Sequence, residues 1–135
     1  MIRTHVELPW SYIKKNIKYN INNFKNIRLS KNINIYDDLL ESDCCIYWGS
    51  AVSIEALALG IPIINYNNNS YLKYDPLFLF NDFKWETSDD RNLNNLLIEI
   101  DQLDHEQFIK KQDSAIKYLN NYFYDISDYN INYFL

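Results

Sequence analysis

Glycine is nearly missing from this chain: 2 of the 135 residues, with 3 prolines beside them. A chain this poor in turn formers has no flexible low-complexity linker, and each glycine or proline it keeps marks a turn. Cysteine is scarce as well. The 2 cysteines are adjacent, at positions 44 and 45. In an extended strand neighbouring side chains point to opposite faces, so this pair suits neither an ordinary disulfide nor a zinc site. Buried, reduced thiols of a cytoplasmic protein are the expectation. An excess of positive charge is also missing. The formal net charge is -5 and the pI near 4.9, which argues against nucleic acid as a partner, because phosphate neutralisation needs a basic surface. No apolar run approaches the roughly 20 residues of a spanning helix, and the first residues do not read as a signal peptide.

What the chain does have is concentrated in Asp43–Tyr66, DCCIYWGSAVSIEALALGIPIINY. Cys44–Trp48 is a short continuous apolar run, the pattern of a strand buried on both faces. Gly49-Ser50 interrupts it. Ala51–Leu59 reads as a helix of small and aliphatic residues stopped by Gly60 and Pro62, and Ile61–Tyr66 is a second buried strand. A turn at the carboxyl end of a strand, feeding a helix, is the corner where open parallel sheets hold ligands, and helix N-termini favour phosphate.

Around this unit the pattern alternates. Met1–Val6 reads as a strand, Pro9 to about Phe24 as a helix with Trp10, Ile13, Ile17, Ile21 and Phe24 on one stripe, and Asn26–Leu29 as another strand. Ile35–Glu41 is a short helix with Leu39 and Leu40 inward. Asn67–Asp82 is a long loop with a helical turn near Tyr71–Asp75, and Phe83–Thr87 is a fifth strand. Ser88 or Asp89 caps a helix reaching Leu103, with Leu93, Leu96, Leu97 and Ile100 as its stripe. Asp104 caps the next, which carries Phe108, Ile109, Ala115, Ile116 and Leu119. Tyr122–Leu135 is an aromatic tail. The expected fold is therefore α/β: one Rossmann-like domain over residues 1–135, with a parallel sheet of about five strands and helices on both faces. Residues 1–87 are expected to form its nucleotide-binding core and 88–135 its C-terminal helices and aromatic tail. A strand at the very first residues suggests a piece of a longer or two-part protein.

Three segments resemble the carboxyl-terminal domain of GT-B-fold glycosyltransferases, those of bacterial surface polysaccharide (capsule and lipopolysaccharide) in particular. Met1–Leu8, MIRTHVEL, is similar to a strand that ends in an Arg-x-His-Pro-Glu pattern. Ile35–Tyr47 resembles the family's helix-then-strand segment. Trp48–Ile64, WGSAVSIEALALGIPII, resembles the Ser-Ser-x-x-x-x-Glu-Ala-x-x-x-Gly-x-Pro signature. The resemblance implies a domain that binds the nucleotide half of a sugar donor and needs no metal or other cofactor. Ser50 and the backbone amides of Ala51 to Ser53 would face the donor phosphates, with Gly49 in place of the first serine. Glu55 would accept hydrogen bonds from ribose hydroxyls. His5 would contact phosphate or protonate the leaving group, and Arg3, on the same strand face, would join it at the phosphates or pair with a local carboxylate. Val6 departs from the usual proline. Tyr47 stands eight residues before Glu55, where retaining members carry a second glutamate, which tilts the expectation towards an inverting enzyme.

The resemblance also implies a missing amino-terminal acceptor domain, supplied by a longer chain or a separate partner. A UDP-sugar 2-epimerase-like domain and a non-enzymatic scaffold remnant of the same fold are the alternatives. The stretch from Lys14 to Lys31 holds Lys14, Lys15, Lys18, Lys25, Arg28 and Lys31 with no acidic residue. It is read first as a solvated helix face and second as a peripheral membrane contact.

Overall fold

The computed structural model describes residues 1–4, 9–16, 18, 23–67 and 74–123. The chain divides into two compact units, Met1–Glu41 and Ser42–Leu135.

In the first unit, Pro9 opens helix α1, Trp10–Asn16, its carbonyl accepting from the Tyr12 amide at 2.9 Å. None of its described residues is buried, and the expected continuation through Ile17 and Ile21 lies outside the described residues. Helix α2, Ile35–Leu40, is capped by the Asn34 side chain, which accepts from the Tyr36 amide at 3.0 Å. Leu39 is buried but Leu40 is 72% exposed. The expectation that both turn inward is corrected: the buried stripe of α2 falls on Asp38 and Leu39, and Leu40, the next position round the helix, faces outward. Asp38 takes the second inward position. The two expected strands of this unit meet in one parallel bridge, Ile2 to Leu29, with Ser30 N donating to the Ile2 carbonyl at 2.8 Å.

The second unit holds a three-stranded parallel sheet, β1 (Cys45–Tyr47), β2 (Ile63–Tyr66) and β3 (Lys84–Thr87), in the order β1-β2-β3. Among the described residues the expected five strands are thus corrected to three. Central strand β2 is buried through Asn65, as expected of a strand covered on both faces. Strand β1 is not: it is an edge of the sheet, and its Ile46 is 48% exposed.

Helix α3, Val52–Ala58, joins β1 to β2. Its end is set by Gly60, which adopts φ 73° so that its own amide reaches the Leu57 carbonyl and the Ile61 amide reaches the Ala56 carbonyl, each at 2.9 Å. Paired bonds of this kind satisfy the last carbonyls of a helix and need a left-handed residue. Helix α4, Asp90–Asp101, is capped by Asp89, whose carboxylate accepts from the Arg91 amide. Its stripe lies only half-buried, and Leu97 faces outward. Helix α5, His105–Tyr122, begins with a reciprocal capping box between Asp104 and Gln107 and packs on α3. Ala115 and Leu119 are its buried residues, whereas Ile109 and Ile116 are exposed. Phe83, Leu57, Ile63, Ile64 and Leu77 make the centre of the core, with Phe108 edge-on to Phe83 at 5.2 Å. Tyr118, one turn before the aromatic tail, lies over Phe80 at 4.8 Å; residues 124–135 lie outside the described residues. Among the described residues, no helix is long and apolar enough to cross a membrane.

Candidate functional site

Strands β1, β2 and β3 run in the same direction, so their carboxyl ends open on one edge of the sheet. The register there sets Tyr47 opposite Asn65 and Asn65 opposite Glu86, a polar row across three strands. Side chains two residues apart share a face, so Lys84 lies on the same face as Glu86. The segment 74–81 covers this row. The Tyr47 hydroxyl donates to Asp75 Oδ1 at 2.8 Å, and the Lys84 ammonium donates to Asp75 Oδ2 at 2.6 Å and to the Leu77 carbonyl at 2.8 Å. Glu86 Oε1 lies 3.1 Å from the same ammonium.

The Lys84 side chain is 0% exposed, a position a charge holds only when paired and hydrogen-bonded. Burial alone would raise the Asp75 carboxyl. Donation from Lys84, the Leu77 amide and Tyr47 outweighs that and brings it below its ordinary value. For Tyr47, burial first and then the Asp75 carboxylate push the phenol upward, outweighing an opposing bond with Ser53, and keep it protonated as a donor.

Beside this row lies a cleft of about 230 Å³, lined by Trp48, Asn65, Tyr74, Asp75, Phe78 and Glu86, with Asn67 and Asn81 also on its wall. The adjoining corner belongs to Gly49 and Ser50. Gly49 takes φ 60°, and a side chain there would press on Tyr74, with a Cβ 2.9 Å from both the Tyr74 Cβ and its carbonyl oxygen. Glycine is therefore required twice over, by backbone conformation and by the approach of the covering segment.

The residues singled out in the sequence fall as follows. Ser50 is half-buried, and its Oγ accepts from the Val52 amide at 3.4 Å. Ser53 is fully buried; its amide and its hydroxyl both donate to the Ser50 carbonyl, at 3.2 and 2.9 Å. Both donors of Ser53 are thus engaged inside the turn. Ala51 is exposed at the start of α3. Glu55 is half-buried in the first turn of α3, and its carboxylate has no hydrogen bond or ion pair among the described residues. Gly49, Ser50, Ala51 and Ser53 therefore share one corner, with Glu55 on the helix that leaves it.

Arg3 belongs to the first unit and takes the local pairing that the sequence left open. Its guanidinium donates to Asp38, to the Ile33 carbonyl at 2.9 Å and to the Asn32 carbonyl at 3.2 Å. Ser30 and Asn32 also donate to Asp38. Burial raises the Asp38 carboxyl, but the bonds from Ser30, Arg3 and Asn32 prevail and lower it. His5 lies outside the described residues.

The two thiols are free and half-buried. Burial pushes Cys44 up to about 12, helped by Cys45 and Asp43, and Cys45 up to about 11, so neither is an activated nucleophile. Among the described residues no group of three or more His, Cys, Asp or Glu side chains could hold a metal ion.

The Tyr47–Asp75–Lys84 network and Asn65 were not singled out from the sequence. One signal was available: Lys84 is a charge between Phe83 and Trp85 in a strand, and a lysine so placed needs an acid nearby. Asp75, just before Pro76, was the acid, but the length of the intervening loop hid the pairing. No protein-family model, no curated protein and no solved structure matches the chain.

Proposed function

We propose that this chain is the donor-nucleotide-binding half of a GT-B-type glycosyltransferase, one that moves a sugar from a nucleotide-sugar to a growing surface glycan. The observation that carries the reading is the Gly49-Ser50 corner at the carboxyl end of β1, in a parallel sheet, beside a cleft. Parallel α/β sheets bind ligands at this edge. Residue types agree with the task. Ser50 keeps its hydroxyl proton to donate to a phosphate oxygen, since the turn uses the oxygen only as acceptor. Glu55 offers ribose hydroxyls an acceptor-only carboxylate with no partner among the described residues.

In this reading the sheet belongs to a Rossmann-like half of the larger fold. The acceptor side of the cleft comes from another domain or a partner chain, at the cytoplasmic face of the membrane, and turnover requires both halves. The test is a thermal-shift panel of CMP, UDP, GDP and dTDP on the wild type, Ser50→Ala and Glu55→Ala. A nucleotide at about 100 times its dissociation constant adds roughly 2.7 kcal/mol. The expected result is a rise in melting temperature with one nucleotide, reduced in both variants. No rise with any nucleotide defeats the reading.

A further inference from the structure

Asn65 is an amide side chain in the centre of the sheet, 7% exposed, and among the described residues it makes no side-chain hydrogen bond. Every other buried polar side chain on this face is tied: Lys84 to Asp75, Leu77 and Glu86, Tyr47 to Asp75. The amide atoms of Asn65 therefore meet solvent and, among the described residues, no protein partner. Asn65 is not sealed from solvent, because it forms the floor of the cleft whose walls are Trp48, Tyr74, Phe78, Asp75 and Glu86. An amide that donates and accepts, placed next to an acceptor-only carboxylate in register, is an arrangement waiting for a ligand with several hydroxyl groups.

Charge narrows the class. Asp75, Lys84 and Glu86 are the ionised groups facing the cleft floor, two negative and one positive. The site therefore carries one net negative charge and repels phosphate. Size narrows it further. A volume of about 230 Å³ holds roughly eight waters at about 30 Å³ each, the room of one ring with its substituents. The rim is aromatic and open, with Trp48 53% and Tyr74 60% exposed, and such faces cover the apolar side of a sugar ring. A pyrimidine base would bring carbonyl oxygens as well as N–H groups to the two carboxylates, whereas sugar hydroxyls can all donate to them.

We infer that the cleft floored by Asn65 and Glu86 and rimmed by Trp48 and Tyr74 binds a neutral glycosyl ring, with phosphate excluded from it. The assignment rests on the donor-binding reading for one point: the ring is that of the sugar donor, its phosphates lying outside the cleft toward Ser50.

The experiment is a heteronuclear NMR titration of the full chain, following the indole N–H of Trp48 and the side-chain amide of Asn65. Both signals are assigned by comparison with Trp48→Ala and Asn65→Ser. The probes are the methyl glycosides of glucose, galactose and N-acetylglucosamine, then inorganic phosphate, uridine and guanosine, and finally the UDP and GDP sugars. At least one glycoside shifts both signals saturably, phosphate and the nucleosides shift neither, and Trp48→Ala weakens the glycoside at least tenfold without changing the fold. Glu86→Gln weakens it severalfold. A response to phosphate or nucleoside alone, or no glycoside response at all, overturns the inference. If glycosides fail while a nucleotide binds at Ser50, this assignment falls and the donor reading stands. If glycosides bind but no nucleotide does, the donor reading falls and the ring belongs to a glycan. A nucleotide-sugar that binds more tightly than either of its parts supports the donor as the source.

Discussion

Lys84 carries its ammonium to a place without solvent contact, where Asp75, Glu86 and the Leu77 carbonyl hold it. Removing one partner of such a pair strands the other charge, which costs about 3–5 kcal/mol, whereas replacing both by apolar groups is often neutral. Lys84→Met is therefore expected to destabilise the protein by about 3–5 kcal/mol in urea unfolding, and the Lys84→Met, Asp75→Leu double variant to regain most of that. The acid response has a definite sign. Asp75 and Asp38 both have folded values below the ordinary 3.8, so their contribution is complete above that pH and fades as pH falls through the lower folded values. Stability should thus drop below about pH 4, and Asp75→Asn should flatten part of the slope. At this scale the sequence was legible where a residue acts through its own backbone. Gly49 and Gly60, marked as turns, both adopt positive φ. It was illegible for Asn65, whose meaning depends on which strands flank it. Arg3 lay between these cases, since a strand residue facing either a ligand or a carboxylate has the same local pattern.

Helix α3 ends where Gly60 turns the chain back into β2, and two conditions meet there. A left-handed conformation costs a non-glycine residue about 1–2 kcal/mol, and an added Cβ would fall on the Gln112 side chain of α5. Gly60→Ala should therefore lose at least about 1–2 kcal/mol by denaturant titration, with Gln112→Ala in the same background recovering the part due to collision. Caps, stops and the β1–α3–β2 succession were readable because each is written in a few adjacent residues. Asp89 and Asp104 cap the helices they were expected to cap. Inward faces were less readable. In α2 a buried Asp38 displaced Leu40, because donors from Arg3, Ser30 and Asn32, outside the helix, made a charged residue acceptable there. In β1 an apolar run signified an edge strand rather than a fully covered one, a distinction that only neighbouring strands decide.

Across the whole molecule, apolar burial is unevenly shared. Among the described residues Leu39 is the one buried apolar side chain of the first unit, while the second holds all the others. A fragment of residues 42–135 should therefore unfold cooperatively by circular dichroism, and residues 1–41 should show no transition of their own, as expected for chains below about 40 residues without other support. Cooperative folding of the short fragment, or a non-cooperative long one, would contradict this. The α/β class was legible from the alternation of patterns, but the number of strands was not, since one bridge at Ile2 and Leu29 has the same local signature as a full strand. The covering segment has a consequence for motion. Surface segments usually rearrange in nanoseconds to microseconds. Asp75 clasps β1 through Tyr47 and β3 through Lys84, so it cannot lift without breaking a buried ion pair. Opening of the cleft's inner wall is thus a partial unfolding of the sheet edge, and its breathing rate follows the stability of the strands.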